Sequence, residues 1–415
     1  MRIAVVGSGI AGLTAAYLLN RRYDITLFEA EDQLGGHTAT VEVEEDGRTL
    51  AIDTGFIVFN DWTYPNFIHL LNQLGVASQP TDMGFSVCSD RDDFEYAGNN
   101  LNSLFAQRSN LFRPGHWRML RDILRFNRSA VCDWHAGKLD EQLTLGDYLA
   151  QNGYSEEFVW RYLVPMGSAI WSASTNQMLE FSASFFVRFF FNHGLLNLFN
   201  RPQWRVIRGG SREYIEPLVA TFKDRVRLAT PVQSVLRKPD GVSLLAGGEE
   251  MEFDAVVLAC HSDQALRCLG DPSREERELL GAIPYARNSV VLHTDCRLLP
   301  RYRRSWASWN YRLQEGDTQL PVLTYNMNIL QRLDAKLTYC VTLNSESNIE
   351  PGRILHRFEY AHPQFSIAGM QAQKAWGKIN GVNRTWYCGA YWASGFHEDG
   401  VNSALRVSRA LGVDL

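Results

Sequence analysis

Gly7-Ser8-Gly9-Ile10-Ala11-Gly12 is the first stretch of the chain whose residue types and spacing point to chemistry. The glycines follow the apolar run Arg2–Val6 directly, and the next residues, 13–20, place Leu13, Ala16 and Tyr17 at helical spacing. A second apolar run, Asp24–Phe28, ends on Glu29, 17 residues after Gly12. Strand, glycine turn, helix, strand and acid, in that order, are what a dinucleotide site requires. Gly7 admits the tight turn, Gly9 lets a pyrophosphate approach the backbone, and Gly12 lets the helix pack closely on the sheet. Free N–H groups at the helix start, around Ile10 and Ala11, favour an anion. Glu29, followed by Ala30, is placed to accept ribose hydroxyls. A lone glycine motif is often only a turn; the flanking elements favour the nucleotide.

Gly35-Gly36-His37 stands six residues past Glu29, and Asp53-Thr54-Gly55-Phe56 follows a hairpin-like stretch, 38–52, with its turn at Asp46-Gly47. An acid, a spacer and paired glycines resemble the extended fingerprint of FAD enzymes of the amine oxidase and phytoene desaturase superfamily. There a basic residue follows the glycines; here it is His37. The resemblance implies FAD, held at its nucleotide end by Gly7, Gly9, Ile10, Ala11, Gly12, Glu29 and Ala30. It places Gly35, Gly36, His37, Thr54, Gly55 and Phe56 along the cofactor, and Val232 at the adenine. At the other end of the chain Gly389-Ala390 stands where amine oxidases commonly carry Gly-Asp. The stretch 395–403 then opens a final helix, 404–411, and the resemblance aims Gly400, Val401 and Asn402 at the flavin.

The implied fold is α/β: a three-layer, Rossmann-like FAD-binding domain on a parallel sheet, with an inserted, discontinuous α+β substrate domain. Its segments are 1–78, 205–285 and 375–415 for FAD, and 79–204 and 286–374 for substrate. Three further stretches are similar to a narrower branch: 53–60 with Thr63-Tyr64-Pro65-Asn66, 82–87, and Gly389-Ala390-Tyr391-Trp392 with 395–400. That branch holds bacterial FAD-dependent oxidoreductases found beside cyclopropane-fatty-acid-synthase-like methyltransferases, and in plants the same domain is fused to such a methyltransferase. It implies a lipid acyl-chain substrate, methylated or cyclopropanated, desaturated by hydride transfer to the flavin, and a methyltransferase partner.

Beside the final helix, Tyr391, Trp392, His397 and Glu398 are the catalytic candidates, with Tyr64 in reach. Tyr391 and Trp392 either wall a substrate pocket or belong to the core. Glu398 is either a general base or an acid satisfying helix N–H groups, the reading that also suits Asp399. His362-Pro363 reads as a turn with a structural histidine, and Cys388 as a buried thiol. Many amine oxidases hold a lysine near the flavin on the strand matching 288–293; this chain has none between Lys238 and Lys336. Amine oxidation remains the competing enzyme reading, and a non-catalytic flavoprotein serving a methyltransferase the third.

Composition sets the outer bounds. The 415 residues carry 41 Lys+Arg against 46 Asp+Glu, which excludes a dedicated nucleic-acid binder. The seven cysteines include no C-x-x-C pair, so neither a disulfide framework nor a metal site is expected, and reduced, mostly buried thiols suit the cytoplasm. No segment reads as a signal peptide or a membrane span. The aromatic segment 181–199 is either a core helix or the lining of a channel for an acyl chain. Residues 117–131 read as a helix with Arg118, Arg121, Arg125 and Arg128 on one face and Trp117, Leu120, Ile123, Leu124 and Val131 on the others. Such a helix either lies on anionic lipid, giving contact with the inner membrane face, or simply presents a solvated arginine face.

Overall fold

A computed structural model describes residues 1–313 and 320–415. Five strands form a wholly parallel sheet in the order Val226–Arg227, Asp24–Phe28, Arg2–Val6, Ala255–Leu258, Thr385–Tyr387. The central strands are apolar on both faces, as a sheet covered on both sides demands; Ile3, Ala4, Val5, Val256 and Val257 are fully buried. One face is covered by helix α1 (Ile10–Leu19) and the last helix, introduced below. The other packs on an antiparallel meander, Val232–Arg237, Val242–Ala246 and Glu249–Phe253, completing three layers.

A second sheet of seven strands runs Ile354–Pro363, Tyr285–His293, Cys340–Leu343, Val322–Asn326, Trp309–Arg312, Phe85–Ser89, Phe94–Ala97. Its neighbours are antiparallel except Trp309–Arg312 beside Phe85–Ser89. The expected substrate segment 286–374 includes 314–319, which lie outside the described residues. The hairpin forms as Thr40–Glu45 against Arg48–Asp53, and Asp46 and Gly47 both take positive φ, 51° and 74°. Positive φ at both central residues gives the two-residue turn that matches the right-handed twist of its strands.

Four more helices bear on the site: α2 (Pro65–Gln73), α3 (Pro114–His135), α4 (Ala183–Asn192) and α5 (His397–Ala410). The structure corrects the sequence reading of three segments. Helix α5 begins seven residues before 404, where Asp399 accepts the Phe396 N–H and closes its first turn, and Gly400 lets it cross α1: a Cβ there would lie 2.7 Å from Ile10 Cγ2. His362-Pro363 ends a strand instead of making a turn. The four arginines of α3 are all exposed along one side, as expected, but Trp117 and Leu124, read onto other faces, are exposed as well, by 51% and 54%; Arg118 pairs with Glu157, and Arg125 turns to Asp122 and to the carbonyls of Asn152 and Gly153. Among the thiols, Cys88, Cys340 and Cys388 are buried, whereas Cys132 is exposed on α3. Among the described residues no helix is long and apolar enough to cross a membrane.

Candidate active site

The nucleotide end is built on steric permission. Gly7 takes φ +102°, and its N–H donates to the Phe28 carbonyl, turning the chain off the first strand. A Cβ on Gly12 would sit 1.9 Å from the Gly7 carbonyl oxygen, so the turn closes only over glycine. Gly9, by contrast, has ordinary dihedrals (φ −63°) and nothing within 4 Å of where its Cβ would be. Open space therefore faces the N-terminus of α1, a cradle shaped for phosphate. Gly36 passes this loop at van der Waals range, its Cβ position 3.2 Å from Gly9 Cα, and Gly35 takes φ +121°. Glu29 accepts the N–H and hydroxyl of Ser8 on one oxygen and the Glu31 N–H on the other, so it braces the glycine loop from the neighbouring strand. Ala30 is exposed beside it. Val232 opens the meander half-buried, its carbonyl accepting from the Cys268 thiol.

Three buried polar atoms near the carboxyl ends of these strands have no hydrogen-bond partner among the described residues: His37 Nε2, Tyr391 Oη and Trp392 Nε1. Ligands of open α/β sheets bind at that edge. The cradle at Gly9 and these orphaned groups fit a long, polar dinucleotide cofactor. Gly389 donates its N–H to Ser403 of α5, and Val401 lies in the core. A Cβ on Gly55 would be 2.2 Å from the His37 carbonyl, which also accepts the Phe56 N–H. Thr54 meets the Tyr360 hydroxyl at 3.1 Å.

His37 sits at the centre of a nest between the two sheets, with ring centroids 5.9 Å from His261, 5.3 Å from His362 and 5.2 Å from Tyr360. Burial, with His362 and His261 adding like charge, holds its pKa well below the usual imidazole value, so it is neutral. Burial likewise holds His362 at about 4. Asn288 Nδ2 lies 3.0 Å from His362 Nδ1 and also donates to the Ala286 carbonyl, while Asn288 Oδ1 accepts from Asn344. That orientation makes His362 Nδ1 an acceptor and leaves the proton of the neutral ring on Nε2. Among the described residues no three His, Cys, Asp or Glu side chains converge as metal ligands.

A cavity of about 440 Å³ lies at the N-termini of α2 and α5. Trp62, Tyr64, Phe185, Phe189 and Phe396 wall it, with Arg188 and Asn192 at its edge. Of the four catalytic candidates only Glu398 lines it. Both Glu398 oxygens are engaged: Oε1 accepts from the backbone and side chain of Asn66, and Oε2 from the Phe67 N–H at 2.8 Å. Asn402, also lining the cavity, accepts from the same Asn66 amide. His397 stacks on Phe56 at 3.4 Å and meets Thr38 and Tyr214, and burial holds its imidazole at about 3. Tyr391 and Trp392 pack away from the cavity, in the cluster behind the parallel sheet.

Asp399 accepts the N–H groups of Ser394 and Phe396 and so caps its own helix. Burial, aided by the charge of Glu398, pushes its carboxyl up to about 7 against the pull of those bonds. A carboxyl whose pKa is higher folded than unfolded keeps a proton in the native state that the unfolded chain gives up. Its contribution to stability is therefore full below about 4 and lost as pH rises to about 7. Asp399→Asn is expected to flatten that fall in thermal-shift midpoints; an unchanged slope would assign it to another group.

The family profile described as flavin containing amine oxidoreductase matches residues 10–320. The chain belongs to this family. It is an FAD-dependent oxidoreductase. Putrescine oxidase, solved in wild-type form bound to putrescine, superposes with a TM-score of 0.70 at 17% identity over 99% of both chains. Cyclohexylamine oxidase from Brevibacterium oxydans IH-35A gives 0.67 at 16% over 99% of both. A CLA-producing fatty acid isomerase from P. acnes gives 0.67 at 16% over 98% of both. At such identities these likenesses speak to the fold. In sequence, the L-amino-acid oxidase of Pseudechis australis is 47% identical over 47 residues, 11% of this chain and 9% of that protein.

Within this flavoenzyme the histidine nest escaped the sequence reading. His261 was findable, since it directly follows the buried strand Ala255–Leu258 by three residues at the sheet's carboxyl edge. Tyr360 and His362 were not, because only the pairing of strands 285–293 and 354–363 brings them to Asn288.

Proposed function

We propose that this flavoenzyme desaturates or otherwise oxidises a long apolar acyl chain of a membrane lipid, methylated or cyclopropanated, and works beside a lipid methyltransferase. The observation that carries this reading is the state of the cavity's carboxylates. Glu398 and Asp399 are the acids lining it, and both are spent on N–H groups, so neither offers a free anion to an ammonium substrate. The aromatic walls suit a hydrocarbon chain. The strand Tyr285–His293 carries Asn288 and no lysine. The fold is shared with a solved fatty acid isomerase, so acyl chains are compatible with it.

When bound, FAD supplies the two-electron acceptor. The chain's part is to hold that cofactor at the Gly9 cradle, to keep His37 and His362 neutral, and to offer an acyl chain the rings of Phe185, Phe189 and Phe396. The segments 79–204 and 286–374 are proposed to form the substrate half. Anaerobic mixing of the FAD-loaded enzyme with cyclopropane or methyl-branched phospholipids is expected to bleach the visible flavin band. Bleaching by polyamines and not by lipids would replace this reading with amine oxidation, which the family profile favours.

A further inference from the structure

The outer stripe of α3 and the loop after α4 form one face. Positions 117, 121, 124 and 128 repeat at helical spacing, and Trp117, Arg121, Leu124 and Arg128 are all exposed, Leu124 by 54%. Against this stripe lies the 196–199 loop, where Leu198 is 55% and Phe199 86% exposed; Leu124, Arg128 and these two residues line a shared groove. Large apolar side chains so exposed, and contiguous, mark a surface that meets something apolar.

The charge on this face is of one sign. Residues 183–201 contain no acid, and residues 117–132 contain only Asp122, which is buried and engaged by Arg125 at 3.3 Å, by Arg121 at 3.8 Å and by the Ser155 N–H. Arg128 and Arg188 make no ion pair among the described residues. Apolar side chains interleaved with exposed arginines that outnumber their one buried acid are the complement of a lipid surface with anionic headgroups.

We propose that this face docks on an anionic phospholipid bilayer, with Leu198 and Phe199 entering the headgroup region and Arg121 and Arg128 meeting the phosphates. Helix α4 links the cavity to this face: Arg188 and Asn192 line the cavity, Phe191 lies against Trp134 of α3, and Trp62 of the cavity wall abuts Gly194, four residues before Leu198. Docking there would bring the cavity to its substrate, and to that extent it rests on the acyl-chain reading.

The test is co-sedimentation of the FAD-loaded full chain with vesicles of phosphatidylglycerol mixed with phosphatidylcholine, and with phosphatidylcholine alone. Binding is expected to the anionic vesicles, to weaken with added salt, and to fall by roughly tenfold or more in Leu198→Asp/Phe199→Asp and in Arg121→Glu/Arg128→Glu. Flavin content and far-UV circular dichroism report whether each variant is folded. No binding by the wild type, or equal binding by well-folded variants, overturns the proposal. So does a wild-type dimer that Phe199→Asp converts to monomer without any vesicle binding, which would make the face a contact between copies. Vesicle binding with no bleaching by any lipid would leave docking standing and remove the lipid substrate. Bleaching by detergent-dispersed lipid without vesicle binding would do the reverse.

Discussion

Gly9→Leu is expected to yield a folded, colourless protein. The Gly9 backbone lies in a region open to any L-residue, and its Cβ position meets no atom within 4 Å, so nothing in the protein resists a side chain there. What the leucine occupies is the space in front of the α1 N-terminus, where Gly36 already closes one side. Loss of the close backbone approach removes the pyrophosphate's N–H contacts, and an affinity drop of at least about a hundredfold, or roughly 3 kcal/mol, follows from losing two charge-assisted hydrogen bonds. The check is flavin released on denaturation, with far-UV circular dichroism of the same sample.

Gly12→Ala makes the contrast. Its Cβ would stand 1.9 Å from the Gly7 carbonyl and 3.1 Å from the Ala259 side chain, so the turn, the helix and the neighbouring strand must all shift. That variant is expected to lose soluble protein as well as flavin. If Gly9→Leu also fails to fold while Gly12→Ala is yellow and stable, the assignment of open space and close packing at this loop is reversed.

These two glycines show why the nucleotide half was legible. Strand, turn, helix, strand and acid lie within the first 29 residues, so the spacing alone carries the geometry, and Asp46-Gly47 announces its hairpin just as locally. Where a side chain's partner is distant in sequence, type and spacing carry no such information. The stretch 395–403 reads as the approach to a helix at 404, and nothing local shows that Gly400 crosses Ile10, 390 positions earlier. Trp117 and Leu124 read as apolar positions turned from the arginine side of α3, yet both are exposed as the arginines are. The nest of His37, His261 and His362 draws on three separate stretches, and only the meeting of two sheets assembles it.

Glu398 is the sharpest such case, and it sets up the second large effect. Helix α2 begins at Pro65, and the residue before it, Tyr64, makes no side-chain capping bond. The next two N–H groups, of Asn66 and Phe67, are satisfied by Glu398, 332 and 331 positions away, and the Asn66 side chain donates to it as well. Glu398→Ala would leave the buried Phe67 N–H and the part-buried Asn66 N–H without an acceptor, while the Asn66 side chain keeps Asn402. A lost cap costs about 1 kcal/mol and a buried unpaired donor about 1–3 kcal/mol more, so roughly 2–4 kcal/mol of local stability is expected to go. In hydrogen exchange the amides of 68–72 should then open about 30- to 1000-fold more often, while those of the parallel sheet stay protected. Glu398→Gln, which keeps one acceptor and sets an NH₂ against the helix, is expected to fall between. A general base would behave otherwise: Glu398→Gln would stop flavin reduction by substrate and leave exchange at 68–72 unchanged. Measuring both quantities on that one variant separates a carboxylate that holds two helices together from one that takes a proton.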